Sequence, residues 1–186
     1  MGRIVVTEFI SLDGVIEAPG GGEGFEHDGW TFEFDRGDDG DKFKLDELME
    51  AEAQLLGRRT YEGFAAAWPS YTDEAGFADK MNSMPKYVVS TTLERADWNN
   101  STILRSLDEV AQVRDRLDGV ILVAGSAQLV QGLLERDLVD ELRLMVFPVA
   151  LGTGKRLWGE TTDKKQFRLA DVHTVGEGIA ILTLSR

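Results

Sequence analysis

Three short stretches of this chain place glycine, hydroxyl and cationic side chains where phosphate chemistry needs them. In "LLGRRTYEGF" the apolar pair Leu55 and Leu56 runs into Gly57, and Arg58 and Arg59 follow beside Thr60. In "VILVAGSAQLV" the pair Gly125-Ser126 separates an apolar run from Ala127, Gln128 and Leu129. In "VVSTTLE" an apolar pair leads into Ser90, Thr91 and Thr92. A helix that starts directly after a strand offers unpaired backbone N–H groups to an anion, and small residues let a phosphate approach. Adjacent guanidinium groups add charge and bidentate donors. The combination points to a nucleotide carrying several phosphates. Each stretch also has a structural reading: turn geometry for the glycines, ion pairs between the arginines and acids of the preceding helix, and ordinary turn roles for the hydroxyls.

Such residues need strands and helices to bring them together. "RIVVTEFI" reads as a first strand, buried on both faces at its centre. Residues 11–40 lack periodicity, and a structureless stretch of that length in a compact domain is commonly functional or mobile. "DKFKLDELMEAEAQ", from Asp41, has helical spacing; "AQLLG" is a short strand, and "TYEGFAAAW" is a helix that stops near Pro69. "KYVVST" and "STIL" read as strands. "SLDEVAQVRDRL" opens with Ser106 and carries Glu109 three residues on, which is a capping box. "VILVAG" is a buried strand, "SAQLVQGLLERDL" a helix and "DELRLMVFPVAL" a long strand. "QFRLADVHTV" and "IAILTLSR" close a hairpin over Gly176-Glu177-Gly178. Strands alternating with helices predict an α/β fold. The expected sheet is mostly parallel, with helices on both faces and a C-terminal antiparallel hairpin. In open α/β sheets ligands bind at the carboxyl ends of strands, where all three stretches fall.

Composition narrows the classes. The 186 residues suit one domain, 1–186, with a full core. The chain has no cysteine, so it has no disulfide, no thiol nucleophile and no Cys-based zinc site. A net charge of −13 argues against general nucleic-acid binding. The N-terminal stretch does not read as a signal peptide, and no run approaches a membrane span. A cytoplasmic protein without a metal centre is the expectation. P-loop, G-x-G-x-x-G and G-x-S-x-G signatures are all missing. His27 and His173 stand far apart in sequence and read as a surface and a structural residue.

The order of these segments resembles the dihydrofolate reductase superfamily. Within it, the chain is most similar to the C-terminal reductase domain of the riboflavin-biosynthesis (RibD) deaminase-reductases and their stand-alone relatives. Four stretches carry the resemblance over nearly the whole length: "VTEFISLDGVIE", "LLGRRTYEGF", "LVAGSAQLVQGLL" and "LRLMVFPVALGTGKRLWG". The resemblance implies the three-layer fold of that superfamily and NADPH as cofactor. It implies that Gly57, Arg58, Arg59 and Thr60 meet cofactor phosphates. Ser90 and Thr91, with Thr92 beside them, occupy the place that holds the adenosine 2′-phosphate. Gly125, Ser126, Ala127, Gln128 and Leu129 wrap the pyrophosphate, and Ile16 lies near the nicotinamide. The family often has two or three successive glycines where this chain has Gly125-Ser126-Ala127. The zinc deaminase half, which needs cysteines, is absent.

The function so implied is hydride transfer from NADPH to a small, heterocyclic substrate, in the manner of a 5-amino-6-(5-phosphoribosylamino)uracil reductase. Asp13, Asp41 or a bound water are the candidates for the proton role. Asp41 falls, counting back from Gly57, where dihydrofolate reductases keep their pterin-binding carboxylate; a helix N-cap is its structural alternative. Residues 17–40, with Phe25, Trp30 and Phe32, are expected to form one wall of the substrate site, with Trp30 and Phe32 as substrate-binding residues. Dihydrofolate reduction is the alternative activity. A catalytically silent nucleotide-binding protein of the same fold is the alternative class. A homodimer is expected, with the long "DELRLMVFPV" strand able to support it.

Overall fold

The computed structural model describes residues 1–160 and 163–186. Its strands are β1 (Arg3–Ile10), β2 (Ala51–Gly57), β3 (Lys86–Val89), β4 (Ser101–Leu104), β5 (Val120–Ala124), β6 (Glu141–Val146), β7 (Arg168–Val175) and β8 (Ile179–Ser185). Its helices are α1 (Gly37–Glu50), α2 (Arg58–Ala67), α3 (Phe77–Ser83), α4 (Leu107–Arg116) and α5 (Ala127–Glu135). The strands form one sheet in the order β4-β3-β2-β5-β1-β6-β8-β7. The first six in that order are parallel, while β8 pairs antiparallel with both β6 and β7. This is the α/β fold, mostly parallel with a C-terminal antiparallel hairpin, that the sequence predicts.

Right-handed crossovers explain where the helices lie. The chain moves one way along the sheet from β1 to β2 to β3, through α1, α2 and α3. It moves the other way from β4 to β5 to β6, through α4 and α5. Opposite directions of travel put the two sets of helices on opposite faces. One face buries Leu48, Tyr61 and Met81 against Val5, Leu56, Val88 and Leu122. The other buries Val110, Val113, Leu129, Val130, Leu133 and Leu134 against Ile4, Val6, Leu55, Ile121 and Val123. Strands covered on both sides read as continuous apolar runs, as "RIVV" and "VILV" do.

Four departures from the sequence reading have physical causes. Helix α1 begins at Gly37 rather than Asp41, with Asp38 and Asp39 in its first turn, where the helix dipole favours acids. It ends earlier, because Ala51 and Ala53 are buried as part of β2. Helix α3 is only seven residues long, too short for periodicity to reveal; its first N–H groups, from Phe77 and Ala78, donate to the Asp73 carboxylate. Strand β6 stops at Val146, two residues before Pro148, which cannot donate to a ladder. It is also flanked by β1 and β8, so it offers no free edge to a second copy. The outer strands are β4 and β7, and β7 exposes Leu169 and Val172.

Residues 17–40 are clasped to the body. The Trp30 indole N–H donates to the Glu17 carbonyl at 2.9 Å, and the Thr31 hydroxyl to the Pro19 carbonyl at 2.6 Å. The Asp28 carboxylate gathers the N–H groups of Gly22, Glu23 and Gly24. At the far end Asp35 exchanges two hydrogen bonds with Glu177 in the β7–β8 turn. Gly176 is indispensable there, since a Cβ would lie 2.0 Å from the Asp35 carbonyl oxygen.

Candidate nucleotide-binding site

The carboxyl ends of β4, β3, β2, β5 and β1 lie side by side, in that order. Four inter-strand steps of about 4.8 Å make an edge about 19 Å long, and the three stretches singled out in the sequence sit along it. The structure joins them directly. The Gly57 N–H donates to the Ser126 hydroxyl oxygen at 2.8 Å, and that hydroxyl donates to Thr60 Oγ1 at 2.9 Å. The β2–α2 and β5–α5 junctions are therefore locked by one side chain. Arg58 reaches the third strand end: its guanidinium donates to Thr92 Oγ1 at 2.8 Å and to Glu62 at 2.8 Å. Thus the ion pair expected with acids of the preceding helix forms instead within α2. Arg59 is exposed and makes no polar contact among the described residues. Thr91 is also exposed.

The helix starts along this edge are not equivalent. Helix α4 is capped: Ser106 accepts the Glu109 N–H, as the capping-box pattern predicts, while the Glu109 carboxylate reaches one residue further back and accepts the Arg105 N–H rather than that of Ser106. Helices α2 and α5 have no side-chain cap at Gly57 or Ser126. Their first N–H groups remain free for an anion. They adjoin one another, next to Arg58 and the unpaired Arg59. This donor set fits a polyphosphate.

Backbone geometry at the β5–α5 turn is demanding. Gly125 has φ 65° and Ser126 φ 70°, both left-handed. A non-glycine residue pays about 1 kcal/mol for that conformation, so Ser126 takes the shape a second glycine would adopt freely. A Cβ on Gly125 would sit 3.1 Å from Thr60 Oγ1. This glycine is thus required by the packing of the two junctions as well as by its dihedral. Ala127 is half-buried, Gln128 exposed and Leu129 buried in the core. At β3 the buried Ser90 hydroxyl oxygen accepts the N–H groups of Thr92 and Leu93. Ser90 thus shapes the turn that presents Thr91 and Thr92. Ile16 is buried, and its N–H donates to the Lys155 carbonyl at 2.9 Å.

The two carboxyl candidates for the proton role are both engaged in other bonds. The Asp13 carboxylate accepts the Ser11 hydroxyl at 2.6 Å and the N–H groups of Leu151 and Gly152 at 3.0 and 2.7 Å. Those bonds, the Ser11 hydroxyl foremost, stabilise the anion and hold its pKa at about 2. Asp13 is a tether between the loop after β1 and the Gly-rich 150–156 turn. Asp41 is 66% exposed on α1, past the helix start, and pairs with Arg36 at 2.6 Å. It is neither an N-cap nor a buried pterin-type carboxylate. Trp30 needs correcting as well. It is 2% exposed and packs edge-on against Phe147, with ring centroids 5.4 Å apart, in a core cluster with Val175, Ile179 and Ile181. It anchors the 17–40 segment and cannot stack on a ligand. Phe32 is 78% exposed, and Phe25 packs on the core beside Gly154.

Two residues at the strand ends escape sequence reasoning. Arg105, directly after β4, donates to the carbonyls of Ser90 and Leu93 at 2.8 Å each; a cation just past a strand, beside a helix cap, was the available signal. Glu8 is a carboxyl inside β1, only 3% exposed. Burial pushes its pKa up to about 8, against the opposing pull of Lys44 and of the Gly125 N–H that faces it; Glu47 adds to the rise. A charged residue at an inward position of a buried strand was the signal there. On the other face of β1, Thr7 bonds to Glu47 at 2.9 Å and to Lys44 at 2.9 Å, and Lys44 pairs with Glu47. Among the described residues no group of three or more His, Cys, Asp or Glu is placed to hold a metal, and no helix is long and apolar enough to cross a membrane.

The profile of the RibD C-terminal domain matches residues 3–181. The chain belongs to the RibD C-terminal domain family. It is 28% identical over 182 residues to the uncharacterized protein YyaP of Bacillus subtilis (strain 168), covering 95% of this chain and 91% of that one. With YwjB of the same organism, also uncharacterized, identity is 26% over 181 residues, covering 96% and 95%. Among solved structures, a Shewanella sp. PV-4 protein assigned by name to riboflavin biosynthesis superposes with a TM-score of 0.76 at 20% identity, covering 99% and 98% of the two chains. Dihydrofolate reductase from Enterococcus faecalis, solved with NADP(H) and RAB-propyl, gives a TM-score of 0.58 at 15% identity, covering 99% and 96%. The RibD C-terminal domain described here therefore has the dihydrofolate reductase-like fold and sits in a reductase-like family. In this RibD C-terminal domain the β5–α5 turn is Gly125-Ser126, whose second residue keeps the left-handed backbone and adds the hydroxyl bridge.

Proposed function

We propose that this chain is a cytoplasmic NADPH-dependent reductase that passes a hydride to an electron-poor C=N or C=O bond of a small heterocyclic substrate. The observation that carries the proposal is the pair of uncapped helix starts, α2 and α5, joined through Ser126 beside Arg59, which has no polar partner among the described residues. NADPH, when bound, supplies the hydride. The protein supplies placement. Arg58, Arg59 and Thr60 hold phosphate, Thr91 and Thr92 the 2′-phosphate on the turn that Ser90 shapes, and residues 125–129 the diphosphate. Ile16 keeps its place near the nicotinamide through its bond to Lys155. Membership of the RibD C-terminal domain family supports a pyrimidine of the riboflavin type as substrate. The dihydrofolate alternative loses support from Asp41, which is exposed and paired with Arg36.

The test is NADPH oxidation against a panel of aminopyrimidines, pterins and small ketones, with calorimetric binding of NADPH run beside it. Turnover with an aminopyrimidine supports the proposal in full. NADPH binding without turnover on any of them leaves the silent nucleotide-binding alternative, and absence of NADPH binding overturns the cofactor assignment.

A further inference from the structure

Glu8 lies beneath the turn on which the proposed cofactor's diphosphate would rest. Thr7 is in register with Ala124 in the parallel β1–β5 pair, so Glu8 stands level with Gly125 at the start of the turn. Alternation along the strand directs Glu8 to the same face as Ile4, Val6 and Ile10. That is the face covered by α5. The Gly125 N–H faces the carboxyl, and the other strand neighbour, Leu144, is apolar. Leu129 and Val130, in the first turn of α5, are apolar as well. Lys44 and Glu47 act on Glu8 from α1, on the other side of the sheet, where they are already paired with each other. Glu8 Oε1 has no hydrogen-bond partner among the described residues. A carboxylate is stable in such a place only with donors to receive, and a neutral acid suits it better.

We propose that Glu8 is a proton-linked gate on anion binding at the Gly125 turn. Neutral, it leaves the turn and the α5 N-terminus receptive to a nucleotide diphosphate. Ionised, it sets a negative charge beneath the ligand and holds the Gly125 N–H for itself, and the anion is expelled. Glu8 is thus a positioning residue that acts through Gly125. This inference rests on the nucleotide assignment above and adds a regulation to it: affinity for the diphosphate falls as pH rises through the titration of one buried acid. Glu8 titrates at about 8 in the free protein, and a bound anion raises that value further, so binding at alkaline pH takes up a proton.

The experiment is calorimetric binding of NADPH, and separately of adenosine 5′-diphosphate, at pH 6 to 9.5. If only the neutral form binds, wild-type affinity drops roughly 30-fold between pH 7 and 9.5, the neutral fraction 1.5 units above the pKa. In Glu8→Gln, which cannot ionise, it varies less than about 3-fold over the same range, within ordinary context effects. Should Glu8→Gln not fold, the wild type decides alone. At pH 8.5, titrations in buffers of different ionisation enthalpy report an uptake of most of one proton per ligand. A flat wild-type profile, zero uptake, or a Glu8→Gln profile as steep as wild type overturns the gate while leaving NADPH binding in place. NADPH failing to bind while adenosine 5′-diphosphate binds with the Glu8-dependent profile overturns the cofactor assignment and keeps the gate. Failure of both ligands to bind at any pH overturns both.

Discussion

Arg59 is the side chain on which the residue-scale account turns, because its charge is unspent. Arg58 already serves Glu62 and Thr92. Arg59→Ala is therefore expected to weaken NADPH binding by about 1–3 kcal/mol, the scale of a lost charge-assisted bond, with no change in melting temperature. Arg58→Ala should weaken binding and also loosen the β3 turn; calorimetry paired with thermal melts separates the two. Two carboxyls make opposite predictions with pH. Asp13 has its pKa lowered to about 2, so the stability it contributes is present above the ordinary value of 3.8 and is lost as pH falls towards 2. Asp13→Asn should flatten the acid limb of the melting-temperature profile. Glu8 has its pKa raised from 4.5 to about 8, so its contribution is present below 4.5 and is lost as pH rises to 8. Glu8→Gln should melt higher than wild type at pH 9 and close to it at pH 4. The sequence shows Arg58 and Arg59 plainly, since two fixed charges after a buried strand need an explanation. It does not show that Asp13 is a tether. Its partners, the N–H groups of Leu151 and Gly152, lie far along the chain, and backbone donors carry no signature in side-chain identity.

At the scale of elements, the junctions and the 17–40 segment behave differently from one another. Ser126 holds two junctions with one hydroxyl while strained at φ 70°. Ser126→Ala keeps the strain and loses the bonds, and is expected to destabilise by about 1 kcal/mol. Ser126→Gly loses the same bonds but relieves about 1 kcal/mol of strain, so it should be close to neutral. Urea unfolding of the pair checks the order. Trp30→Ala should cost about 3–5 kcal/mol as a large core truncation, and a variant that keeps wild-type stability would contradict its placement in the core. Lys86 is a further buried cation. Its ammonium donates to the carbonyls of Asn82, Met84 and Asn99 and lies 4.3 Å from the Trp98 ring centroid. Strand and helix identities, α3 excepted, were legible in the sequence because apolar runs and helix caps are local. The role of residues 17–40 was not. Glycines, acids and aromatics without periodicity describe a lid and a clasp equally well, and only the contacts of Trp30 with Phe147 and of Asp35 with Glu177 distinguish them.

For the whole molecule, a chain of net charge −13 concentrates donors along one edge of its sheet. Reversal of the crossover direction between β1–β3 and β4–β6 puts β1 and β5 next to each other at the point where the helices change face, the place where open α/β sheets bind ligands. A mostly parallel sheet was foreseeable from the alternation of strands and helices. The strand order was not, because pairing between strands distant in sequence leaves no mark on local periodicity. The same topology places β6 between β1 and β8, so that strand cannot pair edge to edge with a second copy. The central claim is that this edge holds a nucleotide with an extra phosphate. Calorimetric titration of NADPH and NADH at pH 7 tests it most directly. The account predicts that NADPH binds at least about tenfold tighter, one charge-assisted contact's worth; equal affinities for the two, or no binding of either, would contradict it.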